Sequence, residues 1–148
     1  MSKHRVAIIG CGGIAHGKHM PSLAKLENVE MAAFFDTVPE RAQDAARQYG
    51  AEGARTYTDY RELLRDDTID IVHVCTPNDT HAEISIAALE AGKHVMCEKP
   101  MAKTVADAWR MVETSRRTGR KLTIGYNNRF RPDSQYLKKI GDGGELGE

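Results

Sequence analysis

The chain has 148 residues, enough for one domain with a buried core, and its 21 Lys plus Arg balance 21 Asp plus Glu. A net charge of zero gives no basic field to attract nucleic acid, and the apolar runs are far shorter than the ~20 residues of a membrane span. The opening Met1-Ser2-Lys3-His4-Arg5 passes straight into the short run Val6 to Ile9, too brief for a signal peptide, so the expected location is cytoplasmic.

Short β-rich runs alternate with longer helical ones. A strand is expected over residues 5–9, then, after a glycine turn, a helix over 14–26. The second strand covers 30–35 and ends at Asp36. A helix follows over 39–49, with Pro39 in its first turn, where a missing N–H does no harm, and Gly50 as its stop. A short helix over 59–65 is capped by Thr58 or Asp59. The third strand, 70–75, is nearly continuous in Ile and Val. A helix over 80–91 closes at Gly92, a fourth strand spans 94–97, a long helix over 104–118 closes at Gly119, and a fifth strand covers 121–126. A last helix starts near Pro132 and ends by Gly141, and the polar, glycine-rich remainder to Glu148 reads as a linker. Strands and helices in this alternation specify an α/β fold: a doubly wound, mostly parallel sheet with helices on both faces.

The first strand runs into Gly10-Cys11-Gly12-Gly13-Ile14-Ala15, which fits G-x-G-x-x-A. In such a turn Gly10 permits the tight bend, Gly12 lets backbone approach a pyrophosphate, and Ala15 lets helix and strand pack closely. The helix start then offers free N–H groups and a partial positive charge to phosphate. Asp36, at the end of the second strand, can accept hydrogen bonds from both ribose hydroxyls of an adenosine and would repel a 2′-phosphate. It can equally cap the next helix. Arg41, a turn further on, could serve a 2′-phosphate only in part, so NAD is favoured over NADP.

Ligands of such sheets lie beyond the carboxyl ends of the strands. Three ends carry chemistry: Cys75-Thr76-Pro77-Asn78 with His81 following, Cys97-Glu98-Lys99-Pro100, and Gly125-Tyr126-Asn127-Asn128-Arg129-Phe130. Lys99, at a buried strand end, can donate a proton or polarise a hydroxyl or carbonyl. Its other reading is a solvated lysine paired with Glu98. His81 reads as a helix-face or supporting residue, His94, Met96 and Met101 as packing, and Trp109 as core with a polar edge. Cys11, Cys75 and Cys97 read as buried reduced thiols. No Cys/His clustering suggests zinc or any other metal.

Together these segments resemble the glucose–fructose oxidoreductase / inositol dehydrogenase / rhizopine-catabolism (Gfo/Idh/MocA) family of NAD(P)-dependent oxidoreductases. The resemblance runs from residue 5 to about 132, with Glu98-Lys99-Pro100 as its most specific element. It implies a Rossmann dinucleotide-binding domain over residues 1–130 and a lead-in over 131–148 to an absent substrate domain. It implies Lys99 as the catalytic residue beside the nicotinamide, a cis Lys99–Pro100 bond, and Thr76, Asn78, Glu98 and Asn127 along the cofactor cleft. The implied reaction is reversible hydride transfer between a secondary alcohol of a sugar or cyclitol and NAD(P). The family's D-x-x-x-H element does not follow position 132, so the chain by itself is expected to bind dinucleotide and turn over poorly. A non-catalytic dinucleotide-binding or interaction module is the alternative, and an unpaired sheet edge offers a route to a homo-oligomer.

Overall fold

A computed structural model describes residues 3–145 and Gly147. Met1, Ser2, Leu146 and Glu148, and so the ends of the N-terminal and linker readings, lie outside the described residues. The elements in chain order are β1 (His4–Ile9); α1, a wide π-helical turn Ala15–His19 continuing into Met20–Leu23; β2 (Val29–Phe35); α2 (Pro39–Tyr49); β3 (Gly50–Tyr57); α3 (Tyr60–Leu64); β4 (Ile71–Val74); α4 (His81–Glu90); β5 (His94–Cys97); α5 (Val105–Thr118); β6 (Leu122–Ile124); a 3₁₀ turn (Asn127–Phe130); and α6 (Pro132–Asp142).

All strand pairs are parallel, in the order β3-β2-β1-β4-β5-β6. The order reverses direction between β1 and β4, and at that switch point the strand ends part and leave a crevice. Successive side chains alternate between faces. Val6 and Ile8 join Met31, Phe34, Met20 and Ala45 in one core, under α1 and α2. Ala7 and Ile9 join Phe35, Val72, Val74, Leu89 and Met111 in the other, under α3, α4 and α5. The sheet is thus doubly wound, as the alternation of elements dictates.

β3 is a sixth strand where the sequence indicated five. Its segment, Gly50-Ala51-Glu52-Gly53-Ala54-Arg55-Thr56-Tyr57, lies at the sheet edge, has no buried residue, and pairs with β2 through a register shift between Met31 and Ala33. An exposed, glycine-interrupted edge needs no apolar alternation, so it leaves no periodic signal. Gly50 ends α2, yet not as a left-handed stop. Its φ is −67°, and a Cβ there would stand 2.4 Å from the Ala46 carbonyl oxygen. Close packing, not backbone conformation, requires that glycine. Gly92 and Gly119 do close their helices left-handed, at φ 77° and 66°.

The remaining helix ends follow local chemistry. The Thr104 Oγ accepts from the Asp107 N–H at 3.1 Å and caps α5, and Asp59, not Thr58, caps α3 by accepting from the Arg61 N–H at 2.9 Å. Within α1, Pro21 has no N–H to give to the carbonyl a turn earlier, and the wide turn precedes it. Gly141 and Asp142 belong to α6, one residue further than expected. Trp109 is corrected: on α5 it is 56% exposed, since Met111 and Thr114 form that helix's buried side. Among the described residues no helix is long and apolar enough to cross a membrane.

Candidate functional site

The crevice at the switch point is a cleft of about 820 Å³. Gly10 and Gly12 floor it; Phe35, Asp36, Thr37 and Arg41 form one wall; Thr76, Pro77, Asp79 and Thr80 form the opposite one; Thr58 to Arg61 close the far end. A second, shallower hollow shares Gly12 and Arg41 with it and reaches Gly13 and His16.

The glycines of the turn are required for different reasons. Gly10 has φ +93°, and a Cβ on it would stand 2.8 Å from the Cys75 backbone carbon, against the end of β4. The protein itself demands glycine there, both for conformation and for space. At Gly12 φ is not in the left-handed range, and a Cβ would meet nothing within 4 Å. No neighbour explains that glycine, and the space in front of it is the cleft. Gly13 and Ile14 are exposed beside it, and Ala15 is fully buried where α1 packs on the sheet. The Gly13 and Ile14 amides, just ahead of α1, have no helical carbonyl a turn earlier to bond, whereas the His16 N–H already donates to the Gly12 carbonyl at 3.1 Å. Bare amides, a helix start and an open glycine suit a diphosphate.

Asp36 is 6% exposed. Its Oδ2 accepts from the Cys11 N–H and its Oδ1 from the Val38 N–H, both at 2.9 Å, which ties the end of β2 to the glycine turn. Arg41 approaches Oδ1 at 3.8 Å from a largely exposed position. A carboxylate offers about four lone-pair sites, so these two N–H bonds leave acceptor capacity on a residue that lines the cleft. The two readings of Asp36 therefore coexist: it holds the chain entering α2, and it borders the cleft.

The other strand ends divide. Thr76 and Pro77 line the cleft, whereas Asn78 is exposed outside its lining. His81 is fully buried and bridges two loops, with Nδ1 2.8 Å from the Pro100 carbonyl and Nε2 2.9 Å from the Thr76 carbonyl. It supports the site from beneath. Lys99 is exposed, not at a buried position, and its bond to Pro100 is cis, as the resemblance implies. Glu98 is partly buried but does not ion-pair with the Lys99 ammonium. Its Oε2 accepts the Lys99 backbone N–H at 3.0 Å, and its Oε1 faces His19 Nε2 at 2.9 Å. Asn127 is exposed in the turn after β6. Glu98, Lys99 and Asn127 stand at the β5 and β6 ends, beyond the residues that line the cleft.

All three cysteines are buried and free. Burial, reinforced by the Asp36 charge, pushes the Cys11 thiol up to about 12, and burial takes Cys97 up to about 11 and Cys75 higher still. They stay protonated at neutral pH and supply no nucleophile. Among the described residues no group of His, Cys, Asp or Glu is placed to hold a metal ion.

Sequence reasoning missed two parts of the site. The far end of the cleft, Thr58 to Arg61, follows from β3 and was hidden with it. The contacts of His19 with His73 and Glu98 join α1, β4 and β5, and their one visible signal was His73, a polar residue inside an otherwise apolar strand.

Comparison with known proteins agrees with this geometry. Residues 4–126 match the GFO_IDH_MocA family, described as an oxidoreductase family with an NAD-binding Rossmann fold. Inositol 2-dehydrogenase of Salmonella typhimurium is 38% identical over 146 residues, 97% of this chain and 43% of that protein. The 3-ketoreductase KijD10 of Actinomadura kijaniata, solved with NADP, superimposes with a TM-score of 0.88 at 31% identity, over 99% of this chain and 46% of that one. The WlbA dehydrogenase of Bordetella pertussis, solved with NADH and UDP-GlcNAcA, gives 0.89 at 30% identity, over 99% and 42%. The chain thus spans less than half the length of each of these relatives. It belongs to the Gfo/Idh/MocA oxidoreductase family and comprises that family's NAD(P)-binding Rossmann domain.

Proposed function

We propose that this chain is the cofactor half, residues 1–130, of a dehydrogenase that moves hydride between a nicotinamide and a secondary hydroxyl of a sugar or cyclitol. One observation carries the reading: Gly12 has open space that no part of the protein uses, directly beside a buried Asp36 carboxylate with acceptor sites to spare. In this assignment the amides around Gly12, Gly13 and Ile14 hold the diphosphate, and Asp36 takes the adenosine ribose hydroxyls. Thr76 and Pro77 shape the opposite wall. The bound nicotinamide supplies the hydride chemistry. Lys99 stands at the β5 end with its ammonium unpaired by Glu98, free to hold or pass a proton at the substrate hydroxyl.

Asp36 at the adenosine end favours NAD over NADP, since a 2′-phosphate would meet its negative charge and the exposed Arg41 is already drawn toward it. Hydride transfer also needs a water-poor enclosure holding donor and acceptor together. Among the described residues α6 has none buried and offers no wall of that kind, so dinucleotide binding is the activity expected of residues 1–130 by themselves.

The test is thermal unfolding with NAD and with NADP at millimolar levels. Ligand at about 100 times its dissociation constant stabilises by about 2.7 kcal/mol, a readily seen rise in Tm. A larger shift with NAD than with NADP is expected, and no shift with either rejects the assignment. For a form of the protein with a substrate domain, NADH production that depends on an added cyclitol or sugar is the expected activity.

A further inference from the structure

A largely buried hydrogen-bonded chain of side chains, with His19 buried and His73 and Glu98 half-buried, runs beneath the proposed nicotinamide end, and the glycine motif does not account for it. His19, on α1, is 8% exposed. Its Nε2 lies 2.9 Å from Glu98 Oε1, and its Nδ1 lies 3.1 Å from Nδ1 of His73 on β4. The other Glu98 oxygen accepts the Lys99 backbone N–H at 3.0 Å. The residue after β6 leaves room for this carboxylate: at Gly125 a Cβ would stand 3.1 Å from Glu98 Oε1.

The donor inventory fixes the protons. A carboxylate oxygen accepts, so His19 Nε2 carries hydrogen. Burial, and after it the charge of His19, pulls His73 down to about 4, so His73 is neutral near pH 7. One hydrogen then lies between the two Nδ1 atoms. When His19 is neutral His73 donates it, and when His19 is charged His19 donates it. In both arrangements Nε2–H of His19 faces Glu98.

We propose that His19 is a positioning residue for the proton-transfer end of the site: it holds Glu98, through Glu98 the Lys99 backbone, and His73 orients its ring for that task. The proposal rests on the dinucleotide reading above, because it places the held segment at the nicotinamide half of the cofactor. The consequence is selective. Loosening Glu98 weakens the grip on the nicotinamide half and leaves the adenosine half, at Asp36, untouched.

The ring nitrogens of His19 are read directly by ¹⁵N NMR of the chain, where a protonated Nε2 is expected and a bare Nε2 overturns the proposal. Two substitutions then separate the ring's two contacts. Gln reproduces the Nε2 donor and Asn only the Nδ1 side. His19→Asn should weaken NADH binding about five- to tenfold while ADP-ribose, which lacks the nicotinamide, changes by less than about twofold; His19→Gln should restore NADH to within about twofold of the parent. Equal effects of Asn and Gln, or equal loss of NADH and ADP-ribose, overturn it. A parent chain that binds neither ligand rejects the dinucleotide reading and, with it, the selective effect on the nicotinamide half. The NMR measurement still decides the hold on Glu98 if a variant fails to fold.

Discussion

Gly10 and Gly12, separated by one residue in the lining of the same cleft, are required for different reasons. Gly10 serves the fold, with φ +93° and a neighbouring backbone where its side chain would be. Gly10→Ala should lower stability by about 2 kcal/mol or more, read as a lower urea midpoint. Gly12 has neither constraint. Gly12→Ala should leave the urea midpoint unchanged or slightly raised and weaken NAD binding at least about tenfold, since a methyl then occupies the ligand's space. A Gly12→Ala protein that binds NAD normally would remove the diphosphate from that turn.

His73 gives the residue scale a pH dependence. Its folded value, about 4, lies below the ordinary 6.5, so the unfolded chain holds the proton more readily. The sign follows. The neutral half-buried ring's contribution is complete above about pH 6.5, declines as pH falls, and is gone near pH 4. The slope in that window is at most about 1.4 kcal/mol per pH unit for one proton. Urea unfolding of parent and His73→Gln between these limits checks it: the variant should lack this part of the slope.

At the scale of elements, α5 shows how local chemistry and packing divide the work. Thr104 caps it, Gly119 closes it left-handed, and Met111 is its fully buried anchor. Thr104→Ala should cost about 1 kcal/mol, seen as a drop of several degrees in Tm, without altering NAD binding, because the cap lies outside the cleft. β3 is the contrasting element. None of its residues is buried and its pairing with β2 is irregular, so tertiary context, not its own pattern, makes it a strand. Its end nevertheless delivers Thr58 to Arg61 to the cleft.

At the scale of the molecule, the two cores sit above and below a six-stranded sheet, and the cleft opens where the strand order turns. α6 stands apart from both cores: none of Pro132–Asp142 is buried, and Tyr136 and Leu137 are 65% and 62% exposed. If residues 1–130 form the folding unit, a chain ending at residue 130 should unfold within about 2 °C of the full chain and bind NAD equally well, because none of the described residues beyond 130 is buried and Ile140 is only half-buried. A much larger drop in Tm would place α6 inside the domain.

The amino-acid sequence by itself determined the fold class, the glycine turn, Asp36 at a strand end and the helix stops at Gly92 and Gly119, because periodicity, special backbone conformations and capping are local properties written in neighbouring residues. It could not show β3, whose pairing is set by the strand beside it, nor the exposure of Lys99 and Trp109. Nor could it show that His19, His73 and Glu98 meet, since they stand on three elements up to 79 residues apart. Which side chains touch is decided only when parallel crossovers bring distant strand ends and helix starts together. At this switch point that convergence joins Gly12 to Asp36 and His19 to Glu98.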